Sequence, residues 1–296
     1  MTQNKVTHLY KPVELTEDDV WIDDQKVYRY LTNNKPATGN LTLYLDDNQT
    51  QVAFKTELLG GLKHGTTEWF HDNGVLEGSA CYINGKQDWT SEHFDEEGNL
   101  LYFRCWLDGE LHGVIEKYDK RGNVIAKVGY QNGKRHGIFE RYYRHRVIKF
   151  RGHYLNNKEN GEYTWYFEDG SIQQTARFDM GVPNEKWVGY YSNGNLESDT
   201  EYDQGRPIGE WRFFDKNAVL RHIGNYIEGK REGSFFWYHP NGTLQAERRF
   251  ISGRQEGPVR HFDKRGKLIR EEIFEGKEKV SDLNYLRGKP LLSILS

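Results

Sequence analysis

Apolar and polar residues alternate along this chain in runs of six to eight, and the runs recur every 24 residues. Stepping by 24 from Phe70 gives Phe94, Tyr118, Tyr142, Tyr166, Tyr190, Phe214, Tyr238 and Phe262, all aromatic. The same step from Leu76 gives Leu100, Val124, Ile148, Ile172, Leu196, Leu220, Leu244 and Leu268, all aliphatic. From Tyr82 it gives Trp106, Tyr130, Tyr154, Phe178, Tyr202, Tyr226, Phe250 and Phe274. Three rows without an exception identify an internal repeat. The alternation inside each run predicts strands, and no run carries a helical period.

Glycine punctuates the same lattice. Asp72-Asn73-Gly74 and Asn84-Gly85 mark two turns per copy, because these residues tolerate the positive φ of tight hairpins. A third glycine row runs through Gly65, Gly113 and Gly137. The rows break at Trp89, Glu185, Arg146, Ala218 and Asn157, so the copies are divergent. Each copy is therefore a β-hairpin. The expected fold is all-β: an elongated, single-layer antiparallel β-meander of about nine to ten 24-residue hairpins. At about 4.8 Å per strand, such a sheet would reach about 90–100 Å. The array is expected over residues 37–277, with an N-terminal cap at 1–36 and a C-terminal cap or tail at 278–296. That tail carries Leu286, Leu291, Leu292, Ile294 and Leu295, which would close the edge or pair with a second chain.

Composition narrows the function. Only 36% of the residues are hydrophobic while 14% are aromatic, which suits aromatic strands and turns better than a thick aliphatic core. A net charge of −3 offers no electrostatic case for nucleic acid. No apolar run reaches the roughly 20 residues of a membrane helix, and no signal-peptide core opens the chain, so a cytoplasmic protein is expected. Cys81 and Cys105 share a lattice position one copy apart, too far for a disulfide, and are expected to be free thiols. His64, His112 and His136 share another position, but one copy of separation is too long for a common metal ion. No phosphate loop or nucleophile elbow is present. The sequence implies neither a cofactor nor catalysis.

The copies "HGIFERYYRHRVIKFRGHYLNNK", "NGEYTWYFEDGSIQQTARFDMG" and "EGSFFWYHPNGTLQAERRFISGR" resemble the MORN-type repeat in its bacterial variant form. The resemblance covers about Gly65 to Lys277. Bacterial proteins of this kind are often named as antitoxin components of the YwqK group. Others serve as scaffolds or phospholipid-associated modules. The resemblance thus implies a protein partner, a toxin or effector. Its alternative is a peripheral membrane scaffold; apart from the resemblance, a carbohydrate-binding array is a second alternative, since aromatic platforms stack on sugar rings.

Position within the strand sorts the rows. Positions 67 and 69 lie on the face opposite Phe70. The invariant rows read as structural, whereas positions 67 and 69 change along the chain. Thr67, Ser91 and Ile115 give way to Tyr163, Trp187, Trp211 and Phe235. His93, Lys117 and Arg141 give way to Trp165, Phe213 and Trp237. These seven late aromatics are the candidate partner-binding set, since Trp and Tyr dominate interface hot spots. Replacing Trp187 and Trp211 together by alanine is expected to abolish partner capture with the sheet intact. On the second strand, Lys149, Arg151 and Arg177 are followed by Glu197, Asp199 and Glu201, which are candidate electrostatic contacts.

Overall fold

The computed structural model describes residues 13–275, 278–286 and 289–292. Among them there is no α-helix, only a short 3₁₀ turn at Arg144–Arg146. The expected all-β, predominantly antiparallel hairpin meander is what the chain forms. It divides into two compact units, one of residues up to 138 with 144–146, the other of residues 139–143 and 147 onward.

In the first unit the hairpins are Gly39–Tyr44 with Val52–Leu59, Leu62–Phe70 with Leu76–Ile83, Lys86–Phe94 with Leu100–Leu107, and Gly113–Tyr118 with Val124–Gln131. Ahead of them, Glu14–Leu15 runs parallel to Gly39–Tyr44, and Val20–Ile22 pairs with Tyr28–Tyr30. Leu15, Val20, Ala37, Leu41 and Leu58 close into a small aliphatic core there, with Tyr28 and Tyr30 against it. Residues 1–12 of the expected N-terminal cap, and Ile294 and Leu295 of the tail, lie outside the described residues.

In the second unit five hairpins follow one another from Gly161–Tyr166 with Ile172–Asp179 to Gly257–Phe262 with Leu268–Glu275. Glu278–Leu286 then pairs with Leu268–Glu275 and with Lys289–Leu292. These segments carry the alternation on as further strands.

Two irregularities repeat in each copy. The ladder slips by one residue at the end of the first strand, as at Trp69/Phe70, Gly189/Tyr190 and Phe213/Phe214. A second slip sits opposite the Gly65-type position, as between Thr175 and Arg177. The latter is a bulge whose residue needs a left-handed backbone. Trp89 and Glu185 keep this conformation without glycine, with φ of 67° and 59°, and Ala218 keeps it at the Gly74-type turn, with φ of 60°. Several long turns are also fastened to the next copy. Tyr143 and Tyr191 donate their hydroxyls to the carbonyls of Tyr166 (3.1 Å) and Phe214 (2.8 Å), and Asn73, Asn193 and Asn241 donate side-chain amides in the same direction. Within the turns, backbone N–H groups hold the Asp119 and Asp263 carboxyls below the usual carboxylate range.

The register decides which rows meet. Position 67 pairs with position 80, and position 65 with position 82. Rows 67 and 82 therefore share one face and interleave. Row 80 between them is small beside the large residues of row 67: Tyr163 lies against Gly152 and Ala176, Trp187 against Thr200, and Phe235 against Gly224, the exception being Arg248 on the other side of Phe235. In the first unit row 67 holds hydroxyls at Thr67 and Ser91, followed by Ile115. Thr56 and Thr67 share a buried hydrogen bond of 2.6 Å, and Ser91 accepts from the Trp106 indole at 2.8 Å.

A β-carbon on Gly224 would lie 2.1 Å from the Phe235 ring. Gly224→Ala is therefore expected to cost about 1–3 kcal/mol in urea denaturation, and Phe235→Ala about 3–5 kcal/mol. The two changes together should cost less than their sum, because removing the ring removes the clash. Additive losses would show that the two residues do not share this space. Ala218→Gly should raise stability by up to about 1 kcal/mol by releasing the left-handed strain.

Candidate functional site

On the inner face of the second unit the aromatic rings form an unbroken ladder. Tyr163 meets Phe178 at 4.9 Å between ring centroids, Phe178 meets Trp187 at 5.5 Å, and Trp187 meets Tyr202 at 5.3 Å. The series continues through Trp211 (5.2 Å), Tyr226 (4.6 Å), Phe235 (5.5 Å) and Phe250 (5.0 Å). The tilted and edge-on geometries suit the ring quadrupole, and each such pair contributes about 0.5–1.5 kcal/mol beyond area burial. Rows 67 and 82 are thus one structural element. Their separation into a variable binding row and an invariant structural row is corrected by the register.

The seven sequence candidates all lie on this face but play two parts. Phe235 and Tyr163 are 0% and 2% exposed, and the Tyr163 hydroxyl donates to the His153 carbonyl. A partner cannot touch them without opening the sheet. Trp187 and Trp211 are half-buried links of the ladder, and the Trp211 indole donates to the Glu201 carbonyl at 3.1 Å. Alanine at both would delete two links, so that double variant reports on folding rather than on capture alone. Trp165, Phe213 and Trp237, of row 69, lie beside the ladder. With Trp187 and Trp211 they keep part of their surface open to solvent.

Row 69 makes a second stack. His222 is sandwiched between Phe213 (5.6 Å, 9° between planes) and Trp237 (4.8 Å, 10°), and the Arg248 guanidinium lies over the Trp237 ring at 5.2 Å. Beyond Phe250 the same face turns ionic: Arg270 and Lys279 bridge Glu272 and Asp282.

The charged candidates behave differently from free recognition groups. Arg151 bonds Glu140 at 2.7 Å, and Glu140, itself 5% exposed, also accepts from the Tyr142 hydroxyl. Arg177 pairs with Glu185 at 3.3 Å. Asp199 is held by Arg212 and by Lys186 at 3.6 Å. These three are engaged across strands on the outer face. Glu197 lies beside the Gly189 backbone, and Glu201 beside Gly209. Lys149 instead reaches over the Tyr143 ring at 5.2 Å and lines an aromatic cavity.

Sequence reasoning missed several groups. Phe139 and Phe150 extend the aromatic face toward the start of the second unit and meet at 5.1 Å. His222 falls at a lattice position filled elsewhere by residues as different as Gly78, Gln174 and Ala246, so no row pointed to it. In the first unit Trp89 is 69% exposed on a left-handed backbone. Its loss of glycine was visible, whereas its exposure was not. Cys81 and Cys105 are free.

Burial, with Arg231 nearby, pushes the His222 imidazole below its ordinary 6.5. The unfolded chain then binds this proton more readily than the folded chain. The neutral stack's contribution is present above about pH 6.5 and is lost as pH falls through the folded value. Thermal unfolding is expected to show stability falling below about pH 6.5. His222→Phe, which keeps a ring in the sandwich, should flatten part of that slope. An unchanged slope would remove His222 as its source.

Four segments, 63–84, 159–179, 186–204 and 231–251, match a family model described as a MORN repeat variant. No curated protein matches the chain. Among solved structures it is similar to a TcdB2-TccC3 crystal structure and to the Photorhabdus luminescens Tc holotoxin pore, each at 12% identity and a TM-score of 0.20. In both cases 83% of this chain covers 15% of the other. A TcdB2-TccC3-Cdc42 structure is similar at 12% identity and a TM-score of 0.15, with 86% of this chain covering 19% of that one. The chain spans less than a fifth of the length of these structures, and likeness at this level carries no inference about activity or partner. At four of its repeat positions the chain matches the MORN repeat variant, a repeat type that suggests a binding module.

Proposed function

We propose that this chain is a non-enzymatic protein-binding repeat module that engages its partner through the aromatic face of its second unit. One observation carries this reading. Trp165, Trp187, Trp211, Phe213 and Trp237 form a contiguous, partly exposed band on a rigid ladder, and every described strand of that unit belongs to the meander, so none of them covers it. A contiguous apolar patch rimmed by charge marks an interaction surface. Rings held in place by their neighbours lose little conformational freedom on binding, which favours affinity.

The specific form of the proposal is an antitoxin or immunity-type protein that neutralises a protein toxin by occluding it. It draws on the resemblance to the YwqK-type group and on geometry, because a broad, preorganised face suits covering another protein's surface. The test separates row 69 from the ladder. Trp165→Ala with Trp237→Ala should leave the circular dichroism spectrum and urea midpoint near those of the parent and weaken partner capture by about 100-fold or more, two hot spots' worth. Equal capture by parent and variant would refute the face. For the toxin reading, co-expression of the parent should rescue growth of cells expressing the captured protein, while the double variant should not. A captured protein that is harmless when expressed alone would refute that reading.

A further inference from the structure

One place on the aromatic face is more than a stripe. A cavity of ≈ 330 Å³ is lined by Phe139, Phe150, Tyr163 and Trp165, with Arg141 and Lys149 among the lining groups. That volume is at the small end of ligand clefts, which run from about 300 to 1,000 Å³, and it suits a pair of side chains. The rings lock one another: Phe150 contacts Tyr163 at 5.3 Å and Trp165 at 5.2 Å.

The charges are the informative part. Elsewhere in this unit Arg151, Arg177, Arg212, Arg260 and Arg270 are ion-paired, while Arg231 and Arg248 lie over rings. Arg141 and Lys149 are exposed, and among the described residues neither has a carboxylate in ion-pair range. Each lies over a ring instead, Arg141 over Phe139 at 5.5 Å and Lys149 over Tyr143 at 5.2 Å. Such a cation is oriented by its ring and still has its donors available to a carboxylate. The one carboxylate lining the cavity, Glu159, already accepts from the Tyr154 hydroxyl at 3.1 Å. An aromatic pocket flanked by two oriented cations without carboxylate partners complements a ring beside a negative charge.

We propose that this cavity receives an acidic segment of the partner protein, in which an aromatic side chain stands next to Asp or Glu. The ring packs on Phe150 and Trp165, and the carboxylate takes the donors of Arg141 and Lys149. This rests on the reading that the face binds a protein, and it names the chemistry of the bound segment.

The probe is the blocked peptide acetyl-Gly-Phe-Asp-Gly-amide, with acetyl-Gly-Phe-Asn-Gly-amide as its uncharged match. Both are titrated into the full chain while the tryptophan indole N–H resonances are followed by NMR, with Trp165 assigned through Trp165→Phe. The expected result is a shift of the Trp165 resonance and about tenfold tighter binding of the Asp peptide. In Arg141→Gln with Lys149→Gln that preference should vanish while the other indole resonances stay in place. Equal affinity for the two peptides, or no shift at Trp165, would overturn the assignment. If the cavity fails while the row 69 variant still loses its partner, only this inference falls. If the peptide binds as expected while the row 69 variant keeps its partner, the cavity's preference for an acidic aromatic segment stands, but its assignment to the partner falls together with the wider face.

Discussion

The structure depends on one steric rule, that a large side chain at position 67 occupies room left by a small one at position 80 of its neighbours. Phe235 over Gly224 and Tyr163 over Gly152 are its clearest cases. Without that exchange, row 67 could not sink between the rings of row 82, and the ladder from Tyr163 to Phe250 would break into separate pairs. In the second unit all described strands lie in one meander, so cross-strand contacts on its faces must take the place of a second packed layer. The turn-to-turn bonds of Tyr143, Tyr191 and Asn193 hold adjacent copies in the register this exchange requires.

The same rule explains why one lattice serves two chemistries. In the first unit the inner row begins small and polar at Thr67 and Ser91, and it is satisfied by hydroxyl bonds such as Thr56 with Thr67. In the second unit it is aromatic, and the rings are too large to disappear. Some are sealed, and the rest remain partly open. Core and candidate docking surface are consequently the same residues seen from opposite sides, and mutations there have to be read for both effects at once. The outer face follows ordinary surface logic, with cross-strand pairs such as Arg177 with Glu185 that each contribute about 1 kcal/mol or less.

The hairpin meander was legible from spacing alone, because the rows through Phe70, Leu76 and Tyr82 and the Asn-Gly turns report period and turn chemistry directly. The candidate face was also legible as a change of content at positions 67 and 69. Register was not. A slip of one residue at Trp69/Phe70 decides which rows touch, and no composition signal marks a bulge where the glycine has become Trp89 or Glu185. Hence Tyr163 and Phe235 read as contact residues although they are buried. Arg151 and Asp199 read as free charges although each has a partner eleven or thirteen residues away. The cavity beside Trp165 needs Phe139 from one strand and Lys149 and Phe150 from the next, which only the folded sheet assembles.

A partner protein seated on the open edge of the aromatic ladder would shield the rings that stand there. Hydroxyl-radical footprinting of the chain, alone and bound to its captured partner, measures this at the residues themselves. Trp165, Phe213 and Trp237 should be oxidised in the free chain and protected in the complex, with Phe235 protected in both. Protection confined to Trp89 and the first unit, with the row 69 rings oxidised equally in both states, would contradict a docking role for this face.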